Sequence, residues 1–213
     1  QGVHAVVTGA DCADTYGVLP IAMNEYAVAK ERVRYRGEAV AAVAADDIDT
    51  AQRALELIKV VYDELPAYFS AEAARAEDAV QLHEERPGNI EREVDFELGD
   101  VAAGFAEADL VREQTYHLGE VCQVQSEPHA AQAEYDATRD RMTVRASTQV
   151  PYYVHLMLAR TLGMDQSDIR VIKPHVGGGF GLKTNPFPED ALALVAAKLI
   201  GRPVKWVASR SEH

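Results

Sequence analysis

The chain has 213 residues, 47% of them hydrophobic and 26% charged, with 21 Lys and Arg against 34 Asp and Glu for a net charge of −13. That length suffices for one large domain or two small ones, and the composition excludes a disordered tract or a coiled coil. The acidic balance argues against a nucleic-acid binder or a ligand of anionic membranes, both of which need a basic face, and no apolar run approaches the roughly 18 residues of a membrane span.

Residues 2–7 carry Val3, Val6 and Val7 and read as a strand, followed by a turn at Thr8-Gly9-Ala10-Asp11. Gln1 opens directly into this run, with no charged leader segment. Arg36-Gly37 is a second turn, residues 38–44 a short apolar strand, and Asp46-Asp47 caps a helix with Ala51, Ala54, Leu55 and Ile58 on one face. Residues 59–62 return as a strand, giving a β-α-β unit that Asp63-Glu64-Leu65-Pro66 ends. Residues 67–91 are polar and irregular, with a turn at Pro87-Gly88-Asn89, and read as a surface linker between a first domain over 1–66 and a second over 92–213. In the second, strands are expected over 93–98 and 110–118, around a short helix over 101–108 capped by Asp100. Residues 130–135 and 142–146 form a hairpin. Pro151 opens a helix that Gly163 ends, residues 168–173 are a strand, and a helix from Pro188 to Ile200 stops at Gly201. Residues 204–208 read as a buried strand. The fold class is α+β. The chain starts without Met and stops five residues after that strand, which reads as a piece of a longer polypeptide.

Cys12 and Cys122 read as two reduced thiols in a cytoplasmic protein. Two cysteines cannot hold an iron–sulfur cluster, so any such cluster sits on another chain. The strongest local signal is Gly177-Gly178-Gly179-Phe180-Gly181-Leu182-Lys183-Thr184. Bare backbone in such a loop lets a ligand approach closely, and successive N–H groups make an anion site; the ordinary alternative is a tight packed turn. A dinucleotide fingerprint or a P-loop would need glycine in place of Leu182, and Asn185-Pro186-Phe187-Pro188 cannot continue a P-loop helix from Lys183.

Gly177-Gly178-Gly179-Phe180-Gly181, preceded by Ser147-Thr148-Gln149 with Gln149 and Phe180 31 residues apart, resembles the molybdenum-binding subunit of the xanthine dehydrogenase/aldehyde oxidase family. The opening unit is similar to that family's a/b hammerhead domain. The tail Gly201-Arg202-Pro203-Val204-Lys205-Trp206, with Arg210 and Glu212, resembles it too. Within the family, Leu19-Pro20-Ile21, Asn24-Glu25-Tyr26, residues 33–38, Pro87-Gly88-Asn89-Ile90, residues 148–155 and residues 169–174 resemble the 4-hydroxybenzoyl-CoA reductase branch. Asn185-Pro186-Phe187-Pro188-Glu189 departs from it towards a carbon-monoxide-dehydrogenase-like branch.

The resemblance implies a molybdopterin cofactor in its cytosine dinucleotide form, with FAD and iron–sulfur clusters on partner subunits. Gln149, Gly178, Gly179, Phe180 and Gly181 would bind the cofactor, and Thr184 would lie near substrate where xanthine-type members carry a glutamate. The loss of that charge makes a purine the less favoured substrate. No residue here would ligate metal directly, and the family's catalytic base is a glutamate beyond His213. The implied reaction is reductive dehydroxylation of 4-hydroxybenzoyl-CoA, with ferredoxin as donor. The alternatives are oxidative hydroxylation of an aldehyde, an N-heterocycle or carbon monoxide, and, in another class, a cofactor-free docking domain.

Other residues also carry chemistry. Glu127 and His129 look like a catalytic pair, although the resemblance sets them on a structural stretch. His175 precedes the loop and reads as a satisfied loop histidine. His4, His83, His117, His155 and His213 form no spaced metal set, and Tyr152 and Tyr153 read as core.

Overall fold

The computed structural model describes residues 1–12, 14–17 and 23–212. The Leu19-Pro20-Ile21 stretch and His213 lie outside the described residues. The chain divides into two compact units, Gln1–Val61 with Gln123–His213, and Tyr62–Cys122.

In the first unit β1 (Val3–Thr8) pairs antiparallel with β4 (Ala41–Ala45), and a short ladder joins β2 (Thr15–Tyr16) to β3 (Glu25–Tyr26). Asp47 caps α1 (Ile48–Leu55) by accepting from the Thr50 N–H at 2.7 Å, as a short acceptor side chain at a helix start should. The expected strand over 59–62 does not form, and Val61 stands 95% exposed. The reason is pairing: β1 and β4 satisfy each other, and no described strand offers 59–62 a ladder.

The larger sheet has the order β7-β6-β5-β8. β5 (Ala130–Asp136) and β6 (Arg141–Ala146) form the hairpin, and β8 (Val204–Val207) pairs antiparallel with β5. β7 (Ile169–Ile172) runs parallel to β6. A parallel neighbour needs a crossover, and α4 (Pro151–Leu162) supplies it, ending where Gly163 turns left-handed at φ 61°. α5 (Pro188–Ile200) returns from β7 towards β8 and packs on β5. Its buried Leu194 meets Val144, Val154 and Met142 in one apolar core, where truncation to alanine costs about 2–5 kcal/mol. The burial expected of β8 is not found; it is an edge strand with Lys205 and Val207 exposed, because only β5 flanks it.

In the second unit α2 (Ala71–Ala74) follows its cap Ser70, and α3 (Val101–Glu107) follows Asp100, which accepts from the Ala103 N–H at 2.9 Å. Within 67–91 the Asn89 side chain accepts from Leu82 N–H at 2.7 Å and donates to Ala74 and Val80 carbonyls at 2.8 and 3.0 Å. The strands expected over 93–98 and 110–118 are absent: both segments run without a ladder partner, and Phe96, Leu98 and Leu118 are exposed. Among the described residues no helix is long and apolar enough to cross a membrane.

Candidate cofactor site

Because β6 and β7 are parallel, their C-terminal ends open at the same edge of the sheet. Such neighbouring ends are where α/β sheets present ligand loops. Residues 147–150 leave β6 there and enter α4, while the glycine loop leaves β7 and closes through a 3₁₀ turn, Leu182–Thr184. The two segments are laced together. The Gln149 N–H donates to the Lys183 carbonyl at 2.8 Å, and the Thr148 hydroxyl donates to the same carbonyl at 3.2 Å.

The Gln149 side chain lies against the loop. Its Oε1 accepts from the Gly181 N–H at 3.1 Å, which assigns the amide's orientation and leaves its two N–H donors on an exposed residue. Gly179 makes this approach possible: a Cβ there would overlap Gln149 Oε1. Gly178 at φ 99° and Gly181 at φ 96° take the left-handed backbone that glycine makes accessible, and Phe180 between them takes φ 50°. The aromatic ring of Phe180 is 73% exposed.

Beneath the loop Glu127, Ser147 and Lys183 form a polar cluster. Lys183 is fully buried; its Nζ donates to Glu127 Oε1 and to Ser147 Oγ, both at 2.8 Å. The Gly177 N–H donates to Glu127 Oε2 at 2.8 Å. Burial alone would raise the Glu127 carboxyl. Hydrogen bonds from Lys183, Ser147 and the Gly177 N–H, with the lysine's charge, outweigh it and hold the pKa down at about 2.

The structure separates the suggested Glu127–His129 pair. Glu127 turns to Lys183, whereas the buried His129 donates from Nε2 to Asp190 Oδ1 at 3.1 Å and stacks on Phe187 at 4.0 Å. The two side chains are drawn to opposite partners, so they share no proton. Lys183 points into the interior, as a phosphate-binding lysine would not. Thr184 spends its hydroxyl on the Gly181 carbonyl and so closes the loop. His175 is exposed, and His155 donates to the Gln166 carbonyl at 2.7 Å. Tyr153 packs on the core and donates to the Gly17 carbonyl at 3.2 Å, but Tyr152, expected in the core as well, is 73% exposed at the first turn of α4. Sequence reasoning missed the partnership of Lys183 with Glu127 and Ser147, and that of Asp190 with His129.

The residues present fit a group that is held by hydrogen bonds. The N–H groups of Gly178, Gly179 and Phe180 donate to no described residue, and beside them stand the free donors of Gln149. Such a row of donors suits oxo and other electron-rich oxygens. A donor set of this kind addresses a bound group by hydrogen bonding.

Comparison with known proteins agrees with this chemistry. The sequence pattern of the molybdopterin cofactor-binding domain matches residues 82–213, and that of the aldehyde oxidase and xanthine dehydrogenase a/b hammerhead domain matches residues 1–66. The chain belongs to the xanthine dehydrogenase/aldehyde oxidase family. Among curated members of that family, the nicotine 6-hydroxylase large subunit of Paenarthrobacter nicotinovorans is 36% identical over 220 residues, covering 100% of this chain and 27% of the relative. The xanthine dehydrogenase molybdenum-binding subunit of Escherichia coli O157:H7 is 36% identical over 188 residues, covering 87% of this chain and 24% of the relative. The solved structure of quinoline 2-oxidoreductase from Pseudomonas putida 86 superimposes with a TM-score of 0.86 at 32% identity, over 99% of this chain and 28% of the other. The chain thus spans about a quarter of the length of the family members it matches. The expected α+β fold, a hammerhead domain followed by molybdopterin-binding residues, is the fold observed.

Proposed function

We propose that residues 147–149 and 177–184 form one wall of the molybdenum-cofactor site of an oxidative hydroxylase acting on a nitrogen heterocycle. The row of free donors at Gly178, Gly179, Phe180 and Gln149 carries this reading. When bound, the cofactor supplies the two-electron redox chemistry. This chain's own residues hold and orient it. Gln149 offers its amide N–H groups to an electron-rich oxygen, and the N–H groups of Gly178, Gly179 and Phe180 are left to donate as well. Thr184 brings a neutral, internally bonded hydroxyl to the substrate side, which favours a heterocycle without a purine's charged contact. Glu127, paired with Lys183, is not available as a proton acceptor at neutral pH.

The relatives named above carry hydroxylase, dehydrogenase and oxidoreductase names, with nicotine, xanthine and quinoline as substrates. They support the oxidative direction over the reduction of 4-hydroxybenzoyl-CoA with ferredoxin, which rests on sequence stretches alone. In this reading the cofactor is the cytosine dinucleotide form. Iron–sulfur and FAD subunits carry electrons away in the cytoplasm, and residues 1–66 and 92–213 are the two domains joined by 67–91. The test is an assay of the intact complex. Quinoline, nicotinate, xanthine, benzaldehyde and carbon monoxide are offered with a dye acceptor, and 4-hydroxybenzoyl-CoA with reduced viologen. Dye reduction with quinoline or nicotinate is the expected result. Turnover of the CoA thioester alone would reverse the assigned direction.

A further inference from the structure

A single carboxylate fastens the glycine loop at both ends. Glu127 Oε2 takes the N–H of Gly177, where the loop begins, and Oε1 takes Lys183 Nζ, where it ends. Ser147, at the end of β6, donates its hydroxyl to Glu127 Oε1 and receives Lys183 Nζ at 2.8 Å, so the three side chains close a triangle. The backbone of Lys183 faces another way, its carbonyl receiving the N–H of Gln149 at 2.8 Å. One buried residue therefore ties Glu127 to Gln149.

We infer that Glu127 and Lys183 are positioning residues, a clamp that fixes the span of the loop and, through the Lys183 carbonyl, the stance of Gln149. The inference rests on the reading that this loop holds the cofactor. A run of glycines loses more backbone freedom on ordering than any other sequence. A clamp formed during folding removes that loss from the binding step, which is preorganisation. The residue types suit the task. Lys183 is buried and needs a counter-charge. A carboxylate has two oxygens and can serve both loop ends at once, whereas an amide has one acceptor. An aspartate would keep the charge but fall one methylene short of reaching both.

The test uses the full-length complex with its partner subunits and compares E127Q, E127D and S147A with the wild type. Two readouts are taken: molybdenum and pterin retained per complex during dialysis, and hydrogen exchange at loop amides 177–184 against hairpin amides 130–146. E127Q and E127D are expected to lose cofactor about 10–100-fold faster, the usual range when a residue orients another that makes the contact. Their loop amides should exchange faster while the hairpin stays as in the wild type, and S147A should shift the same way by less. Should E127Q fail to fold, E127D, which leaves Lys183 its counter-charge, carries the test. Wild-type retention and loop exchange in E127D would overturn the clamp, as would equal acceleration in loop and hairpin, which marks a merely structural pair. The underlying reading fails separately: cofactor-loaded and cofactor-stripped wild type would then exchange alike at the loop.

Discussion

Two polar pairs leave the chain from positions two residues apart and serve different ends. Glu127 is partly open to solvent, and both of its oxygens are taken by the loop and its floor. His129 and Asp190 are 1% and 0% exposed, the His129 ring stacks on Phe187 and tilts against Trp206, and Asp190 Oδ2 meets no hydrogen-bond donor among the described residues. The first pair shapes a surface. The second joins the entry of β5 to the first turn of α5, inside the core, where a carboxylate also benefits from the helix N-terminus. Burial and ion pairing therefore do not by themselves mark a site. What marks one is whether the pair's other bonds run to an exposed loop.

Substitutions can pull the two apart. The largest effect is expected from Gly179→Val, whose side chain would evict Gln149 from the loop. Molybdenum content of the purified complex should fall to background while thermal unfolding shows the fold retained. Full molybdenum would mean that the loop is only a turn. Asp190→Ala should do the reverse, costing about 1–3 kcal/mol because it removes a hydrogen bond between two buried side chains. Thermal unfolding should report that loss, with loop exchange at 177–184 unchanged; a loop that loosened in step would merge the two pairs into one.

The smallest effect is one of pH. Glu127 is held at about 2 against an ordinary 4.5, so the unfolded state takes up its proton first. The clamp's contribution is whole above that ordinary value and is lost as pH falls from 4.5 towards 2. The difference in loop exchange between wild type and Glu127→Gln should therefore hold steady above pH 4.5 and narrow as pH falls from 4.5 towards 2. A constant difference would take the charge of Glu127 out of the clamp.

What the sequence disclosed follows the range of the physics involved. The limits of α4 and α5 were legible because Pro151 and Pro188 start helices and Gly163 and Gly201 end them by local backbone chemistry. The hairpin of β5 and β6 was legible from its turn residues in the same way. The strands expected over 59–62, 93–98 and 110–118 were not realised, since alternation names a face but only a neighbouring strand makes a ladder. The site divides similarly. The loop and Gln149 stand out by composition and spacing. The burial of Lys183 depends on Ser147 and Glu127, 36 and 56 residues away, and a lysine beside a glycine run invites a phosphate reading that its surroundings exclude.

The amide of Gln149 works as a polarity inverter. It absorbs a proton donor from Gly181 on one side and offers donors of its own on the other, so the loop's electropositive character passes through the side chain and emerges one residue-width further out. Exchanging nitrogen for oxygen, as in Gln149→Glu, would keep the inward bond and the shape yet present a negative charge outward. Recognition at this position is thus encoded in a single atom, and the same scaffold could be turned from attracting an electron-rich oxygen to repelling it without moving the backbone.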